Sequence, residues 1–267
     1  MDIAFTVAGF LVGFVVGMTG VGGGSLMTPI LVLFFGVKPS LAVGTDLLYA
    51  AITKGGGIWV HNNKGTVDWR TVGLMLTGSM PAALLTVYVL KVLQSRGVDY
   101  QGAITSSLGV ALILTSLAII FRGRILQFAQ ADRMAPVRAV YRQTKVPATV
   151  ICGLMLGVLV TMSSVGAGAL GTVMLFFLNP YWDSKRIVGT DLAHAVPLTA
   201  VAGIGHAHLG SVDYAMLASL LVGSLPGIYL GSHLGIRLPD TVVRPVLAGM
   251  LLLIGIKFAA PVLAAVH

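Results

Sequence analysis

The chain has 267 residues, of which 56% are hydrophobic and only 10% are charged, and its mean hydropathy is +0.93. Soluble domains carry about 25% charged residues, so this composition excludes a soluble globular protein and predicts a helical membrane protein. The net charge of +8 comes from basic residues between the apolar runs, which is typical of cytoplasmic loops and argues against a nucleic-acid partner. We therefore expect a multi-pass protein of the cell (inner) membrane, with the lipid bilayer as its surroundings.

Ten apolar runs follow one another along the chain, and each is expected to be helical. The first, second, sixth and seventh runs are shorter than the ~20 residues that cross a bilayer, whereas the other six are long enough to span it. The approximate bounds of the runs are 3–17, 25–36, 41–60, 71–93, 101–121, 147–161, 169–179, 187–206, 214–236 and 243–266.

A glycine-rich break separates the first two runs. It reads Gly17-Met-Thr-Gly-Val-Gly-Gly-Gly-Ser-Leu-Met-Thr-Pro29. Each glycine costs a helix interior roughly 1 kcal/mol, and proline lacks a backbone donor, so the helix should end here. At membrane depth, irregular backbone is tolerated only where it is buried in protein or lines a polar cavity. The break is therefore a candidate functional site, and close packing of helices through small residues is the alternative.

The two halves of the chain repeat each other. A shift of 145 residues aligns Gly44-Thr-Asp-Leu47 with Gly189-Thr-Asp-Leu192, and Val67-Asp68 with Val212-Asp213. The break recurs at nearly the same shift, as Val165-Gly-Ala-Gly-Ala-Leu170. Such a duplication is typical of secondary transporters.

The placement of lysine and arginine predicts that the repeats are inverted. If each broken run turns back as two short segments, twelve loop cations lie inside and three outside, whereas single crossings would distribute them almost evenly. The expected fold is all-α, with two inverted-topology repeats, each a broken or re-entrant short helix pair followed by three spanning helices. The predicted divisions are an N-terminal repeat (1–121), a basic cytoplasmic connector (122–146) and a C-terminal repeat (147–267), within one membrane domain.

The two breaks are the candidate substrate site. A helix N-terminus offers unpaired N–H groups and partial positive charge, so it binds anions, and nearby hydroxyls add donors. Isolated glycines such as Gly13, Gly17, Gly153 and Gly157 are expected to serve helix packing instead. The residues predicted to bind substrate are Gly22, Gly23, Gly24, Ser25, Thr28, Ser163, Ser164, Gly166, Gly168 and Thr172.

Several polar residues in later runs are candidate coupling or charge sites. Thr45 with Asp46, and Thr190 with Asp191, either cap a helix or carry a proton or cation, since an acid within the membrane is usually functional. Lys54 either attracts an anion or pairs with Asp46, or it extends to the membrane interface. His194, one turn from Asp191, titrates near neutral pH or is a polar packing residue.

A metal site is the main competing interpretation. His206 and His208, together with His194 and Asp213, would hold an ion in a metal permease or metal-dependent membrane enzyme. No cysteine or glutamate completes the set, so the sequence favours a protein without a metal or other cofactor. Asp68 and Asp213 are instead expected to be helix N-caps.

The chain resembles the TauE/SafE sulfite exporters, also called the toluene-sulfonate uptake permeases. The resemblance depends on Gly13-Phe-Val-Val-Gly17, on Gly20-Val-Gly-Gly-Gly-Ser-Leu-Met-Thr-Pro-Ile-Leu31, on Ala42-Val-Gly-Thr45 and on the weaker second copy. It implies a secondary transporter, not an enzyme, that moves a small anion such as sulfite or sulfoacetate. The facing breaks of the two halves predict alternating access, and protons as the coupling ion and a homodimer as the assembly are left open by the sequence. The second copy departs from the family pattern because no proline follows its glycines, which leaves the substrate open.

Overall fold

The computed structural model describes residues 2–19, 24–130, 135–234 and 240–265. These residues form ten α helices and no strand, which confirms the predicted all-α class. The helices are α1 (Ile3–Thr19), α2 (Gly24–Leu33), α3 (Pro39–Asn63), α4 (Trp69–Ser95), α5 (Gln101–Gln130), α6 (Ala135–Ser163), α7 (Ala169–Leu178), α8 (Ser184–His208), α9 (Tyr214–Leu234) and α10 (Asp240–Ala265).

Within the described residues, five helical segments are long and apolar enough to cross a membrane, as a multi-pass protein requires. They are Trp69–Ser95, Gln101–Phe121, Lys145–Ser163, Ser184–His208 and Tyr214–His233. The helix α3 is as long as α8, with 25 residues, and it carries Asp46, Lys54 and three consecutive glycines.

The short helices are α2 and α7, with 10 residues each. At 1.5 Å per residue each extends over about 15 Å, which is half of the ~30 Å hydrocarbon core. Two other helices are longer than expected, since α5 continues forward to Gln130 and α6 begins already at Ala135. Most of the predicted connector is thus helical, because arginine, glutamine and alanine are good helix formers even where polarity suggests a loop.

Helices of one half pack against helices of the other half. The helix α1 packs mainly on α9, and α6, its counterpart in the repeat, packs mainly on α4. Counterparts also meet directly, as α3 packs on α8 and α5 packs on α10. One buried core contains Leu47 of the first half beside Leu175 and Leu198 of the second. The first helix of each half is therefore held by the other half.

Glycines allow these helices to approach closely. A Cβ atom at Gly13 would lie 2.5 Å from the Ser224 carbonyl oxygen, and one at Gly157 would lie 2.5 Å from the Ser79 carbonyl oxygen. Backbone also blocks a Cβ at Gly17 and Gly153. The predicted packing role of these four glycines is confirmed.

Counterpart helices run in opposite directions. Gly203 of α8 lies against Leu48 of α3, and Gly57, later in α3, lies against Leu192, earlier in α8. The two helices are therefore antiparallel, which is the relation that an inverted repeat requires. The orientation of each half relative to the membrane stays a prediction.

The directions of α1 and α3 can be compared through their common neighbour α9. α1 is parallel to α9, because Gly9 contacts Leu220 and Gly17 contacts Ile228. α3 is parallel to α9 as well, because Thr45 contacts Asp213 and Tyr49, one turn later, lies near Ser224. The helices α1 and α3 therefore run in the same direction, as the predicted turn back of the first broken run requires.

Candidate functional site

The second break lies between α6 and α7. Its backbone has positive φ at Ser164 (57°), Gly166 (111°) and Gly168 (134°), and residues other than glycine rarely adopt the last two values. The helix α7 follows directly, and its N-cap, Gly168, provides no side-chain hydrogen bond. The first N–H groups of α7 therefore have no cap from a side chain, and they carry the positive end of the helix dipole.

The first break is only partly described. Gly22 and Gly23 lie outside the described residues, and Gly24 begins α2. Ser25 and Thr28 are buried in α2. The Thr28 hydroxyl donates a hydrogen bond of 2.5 Å to the Oδ2 atom of Asp46. This bond connects the short helix of the first break to the first acid of α3.

The predicted hydroxyls of the second break have different partners. Ser163 donates to the Leu159 carbonyl at 2.6 Å, and Thr172 donates to the Ala169 carbonyl at 2.9 Å, so both hydroxyl hydrogens serve the local backbone. Ser164 is 2% exposed, and its Oγ atom has no hydrogen-bond partner among the described residues. Its side chain lies beside the Asp46 carboxylate. Ser164 is thus the hydroxyl of this break that is open to another group.

Lys54 connects the two halves at this point. It is 8% exposed, and its ammonium group donates a hydrogen bond of 2.6 Å to the Ala167 carbonyl in the second break. It is also near enough to Asp191 and Asp46 to interact electrostatically with both carboxylates. Of the alternatives for Lys54, extension to the membrane interface is therefore wrong, because the break offers the ammonium a buried carbonyl and two nearby acids.

Asp46 and Asp191 lie about two turns inside α3 and α8, and both are buried. They do not cap these helices, since the N-cap of α8 is Asp183. Gly171 of α7 provides the space for Asp191, because a Cβ atom there would lie 1.9 Å from its Oδ1 atom. That oxygen has no hydrogen-bond partner within the described ranges, and neither does Oδ1 of Asp46.

The neighbouring threonines have a structural role across the halves. Thr45 accepts the backbone N–H of Asp213, and Thr190 accepts that of Asp68, each at 3.0 Å. Both aspartates are helix N-caps, as predicted. Asp68 accepts the Thr71 N–H at 2.9 Å, and Asp213 accepts the N–H groups of the first turn of α9.

The histidines do not converge on a metal. His194 Nε2 forms a 2.9 Å hydrogen bond with the Ser79 hydroxyl, and His206 Nε2 donates a hydrogen bond of 3.0 Å to the Thr161 carbonyl. His206 is buried whereas His208 is exposed, because both lie at the end of α8, where two residues turn through about 200°. The described residues contain no group of three or more metal-ligating side chains, so they do not support the competing interpretation as a metal site.

Three contributors to the site were not predicted. Ala167 supplies the carbonyl that binds Lys54, Gly171 supplies the space for Asp191, and Ser79 is the partner of His194. The repeat contained a signal for Ser79, because Gly78-Ser79 aligns with Gly223-Ser224, and Tyr49 lies near Ser224 as His194 lies near Ser79. No local pattern identifies a backbone carbonyl such as that of Ala167.

An ion pair lies at the end of the α3–α8 interface where α3 ends and α8 begins. The Arg186 guanidinium lies 2.5 Å from the Asp68 carboxylate and 4.3 Å from the centre of the Trp182 ring. Burial raises the pKa of Asp68, but the Thr71 N–H and the Arg186 guanidinium outweigh burial and hold that pKa below its ordinary value. The counterpart of Arg186 in the first half is Leu41, so the other side of the interface does not have this pair.

The fold and the buried charges together define a polytopic helical membrane transporter. The chain matches the family model "Sulfite exporter TauE/SafE" over residues 5–258, and it belongs to this family. It is a membrane transporter of that family and not an enzyme.

Relatives with similar sequences are described as probable membrane transporter proteins. YjnA of Bacillus subtilis is 36% identical over 259 residues, which cover 96% of this chain and 99% of YjnA. YdhB of the same species is 29% identical, with 91% of this chain and 97% of YdhB covered. A relative from Methanocaldococcus jannaschii is 24% identical, with 87% and 84% covered. No solved structure matches the chain.

Proposed function

We propose that the protein is a secondary transporter that moves a small anion, sulfite or an organosulfonate such as sulfoacetate, across the inner membrane by alternating access. The observation that carries this proposal is the position of Lys54. Its ammonium group, which belongs to the first half, is buried against the break of the second half. An ammonium has three N–H donors, and Ala167 takes one of them.

The groups around Lys54 suit an oxyanion. The Ser164 hydroxyl and the N–H groups of Ala169 and Leu170 at the start of α7 are donors, and the dipole of α7 adds partial positive charge. Sulfite and sulfonates present oxygen acceptors around one sulfur atom, so several converging donors can bind one head group. The family description supports a sulfur oxyanion as the head group. We expect the first break to determine how large an organic part the substrate can carry.

The charges favour entry of a proton with the anion. Two buried carboxylates, Asp46 and Asp191, surround the one ammonium of Lys54. If both acids are ionised, these three residues carry one excess negative charge, which repels an incoming anion. A proton on one acid removes that excess, so we expect substrate and proton to bind together.

The packing of the halves supports alternating access. Each half holds the first helix of the other, and counterpart helices are antiparallel. The proposed anion site lies where Lys54 of one half meets the break of the other. A rocking motion of the halves about this contact would open the site to each side of the membrane in turn.

Exchange in proteoliposomes tests this function. Vesicles loaded with unlabelled sulfite or sulfoacetate should take up the labelled anion from outside, and Ser164→Ala should slow the exchange at least tenfold. Ser95→Ala is the matched control, because Ser95 is an exposed serine whose hydroxyl donates to its own helix. If neither anion exchanges, or if both serine variants exchange like the wild type, the proposal is wrong.

A further inference from the structure

Two buried oxygen atoms from opposite halves have no hydrogen bond within the described ranges. Asp46 Oδ1 belongs to α3 of the first half, and Ser164 Oγ belongs to the break of the second half. The Ser164 side chain interacts with the Asp46 carboxylate, but Oδ1 and Oγ do not reach hydrogen-bond geometry with each other or with another group of the described residues. Asp46 is 0% exposed and Ser164 is 2% exposed, and buried polar atoms are almost always paired.

The existing hydrogen bonds determine which oxygen is open. Thr28 donates its hydroxyl hydrogen to Oδ2 of Asp46, so Oδ1 is the free oxygen. Ser164 has a φ of 57°, a value at which an ordinary side chain is uncommon. A serine that is held in this conformation, with an open buried hydroxyl, suggests that its side chain binds a group not yet accounted for.

We infer that Asp46 binds the coupling proton at Oδ1 and then donates it as a hydrogen bond to Ser164 Oγ. This inference rests on the proposed function, because it names the coupling site of that transporter. The proton comes from the aqueous side, forms the O–H bond of a neutral carboxylic acid, and leaves by the reverse step. No other bond forms or breaks.

The pairing would connect the proton to the anion. When protonated Asp46 donates to Ser164 Oγ, the serine hydroxyl hydrogen is free to donate to an oxygen of the substrate. When Asp46 is ionised, its carboxylate accepts that hydrogen and withdraws it from the substrate. Ser164 therefore offers its donor to the anion only when the proton is bound, which is a direct route for coupled transport.

A proton fits the site better than a metal cation. The carboxylate of Asp46 and the hydroxyls of Thr28 and Ser164 supply few oxygen ligands, whereas hard cations such as Mg²⁺ and Ca²⁺ require six or more. The Lys54 ammonium nearby also repels a second cation. The titratable groups on the elements packed around Asp46 are Tyr49 and Lys54 on α3, Asp191 and His206 on α8, and Asp213 before α9.

Asp191 does not have the same surroundings. Thr172, the counterpart of Thr28, donates to the Ala169 carbonyl instead of to Asp191. Asp191 lies against Gly171, where the first half has Met27. Its strongest electrostatic partner among the described groups is Lys54. We therefore assign Asp191 to the fixed charge pair with Lys54 and the exchangeable proton to Asp46.

Infrared difference spectroscopy of the purified full chain in lipid nanodiscs tests this assignment without substrate. The C=O stretching band of a protonated buried carboxyl should titrate with pH in the wild type, disappear in Asp46→Asn, and persist in Asp191→Asn. Asp99→Asn is the matched control, because Asp99 is exposed before α5 and should leave the band unchanged. A band that persists in Asp46→Asn, or that disappears with Asp191→Asn, would overturn the inference.

A second variant keeps the test informative if Asp46→Asn does not fold. Ser164→Ala removes the acceptor, so the band should shift to a higher frequency and its pH midpoint should move. An unchanged band in Ser164→Ala contradicts the pairing. Because the spectra need no substrate, a band that behaves as expected in a protein that exchanges neither sulfite nor sulfoacetate refutes the proposed function alone.

Discussion

Lys54 on α3 donates a hydrogen bond to the backbone carbonyl of Ala167, 113 residues further along the chain, at 2.6 Å. The bond joins the middle of one half to the broken segment of the other. It also places a buried cation within electrostatic reach of Asp46 and Asp191. Motion of the break relative to α3 must therefore change the surroundings of all three charges.

Lys54→Met should abolish exchange of sulfite or sulfoacetate and should also destabilise the protein. Methionine has a similar length but donates no hydrogen bond, so two buried acids lose their cation. Removing one partner of a buried charge pair costs about 3–5 kcal/mol. The measurements are anion exchange in proteoliposomes and the midpoint of thermal unfolding in detergent.

Lys257→Met is the matched control, because Lys257 is exposed on α10 and should tolerate the change. The double variant Lys54→Met/Asp191→Asn should recover part of the lost stability, since it removes an acid together with its cation. If Lys54→Met is as stable as the Lys257 variant, the ammonium does not balance these acids.

Thr45→Val and Thr190→Val should lower stability by similar amounts. Each substitution keeps the shape of the side chain but removes the oxygen that accepts an N–H group from the opposite half. An unpaired buried N–H group costs about 1–3 kcal/mol, and partial exposure of both aspartates places the effect near the lower limit. Thermal unfolding of both variants measures it, with Thr77→Val as an exposed control. Strongly unequal effects would show that the two interfaces are not equivalent.

Gly223→Ala should separate α1 from α9. The added Cβ atom would lie 1.9 Å from the Thr6 carbonyl oxygen, and backbone cannot move aside as a side chain can. Overpacking of this kind costs about 1–3 kcal/mol. Gly249→Ala has nothing within 4 Å and should instead be neutral or stabilising by up to ~1 kcal/mol. Equal unfolding midpoints for the two variants would contradict the close contact.

The Asp68–Arg186 pair should make stability depend on pH below about pH 4. Because the folded pKa of Asp68 is depressed, its contribution is complete above the ordinary pKa of ~3.9 and is lost as the pH falls through the folded value. Arg186 is 45% exposed, so the contribution is at most about 1 kcal/mol. The measurement is the unfolding midpoint between pH 7 and pH 3.

Two variants of Asp68 separate the charge from the helix cap. Asp68→Asn keeps a good N-cap and should lose only the pH-dependent part, whereas Asp68→Ala should also lose about 0.5–2 kcal/mol at every pH. A wild-type midpoint that follows the Asp68→Asn curve at all pH values would show that the ion pair adds nothing.

Local features of the structure could be predicted from the sequence. The apolar runs, the repeat and the break predicted the short helices α2 and α7, because hydrophobicity, glycine and proline act on the chain locally. The N-caps Asp68 and Asp213 were predicted for the same reason. The end of α5 and the start of α6 were not, because helix propensity extends through the polar connector.

The partners of the buried polar groups could not be predicted. Thr45 and Thr190 looked like caps of their own helices, yet each binds the loop of the opposite half. The contact of Lys54 with Ala167 likewise depends on how two halves pack, and no local spacing encodes it. The repeat relates such contacts to each other, because the pair Tyr49 and Ser224 is the counterpart of the pair His194 and Ser79.

The proposed function and the proposed coupling site together require that this transporter moves a small sulfur oxyanion and a proton in the same direction. The most direct measurement is uptake of labelled sulfite and sulfoacetate into proteoliposomes with an imposed pH gradient. We predict accumulation of at least one anion above its external concentration when the gradient drives protons in the same direction, and only equilibration in Asp46→Asn. Accumulation of neither anion under any gradient, or undiminished accumulation in Asp46→Asn, would contradict the claim.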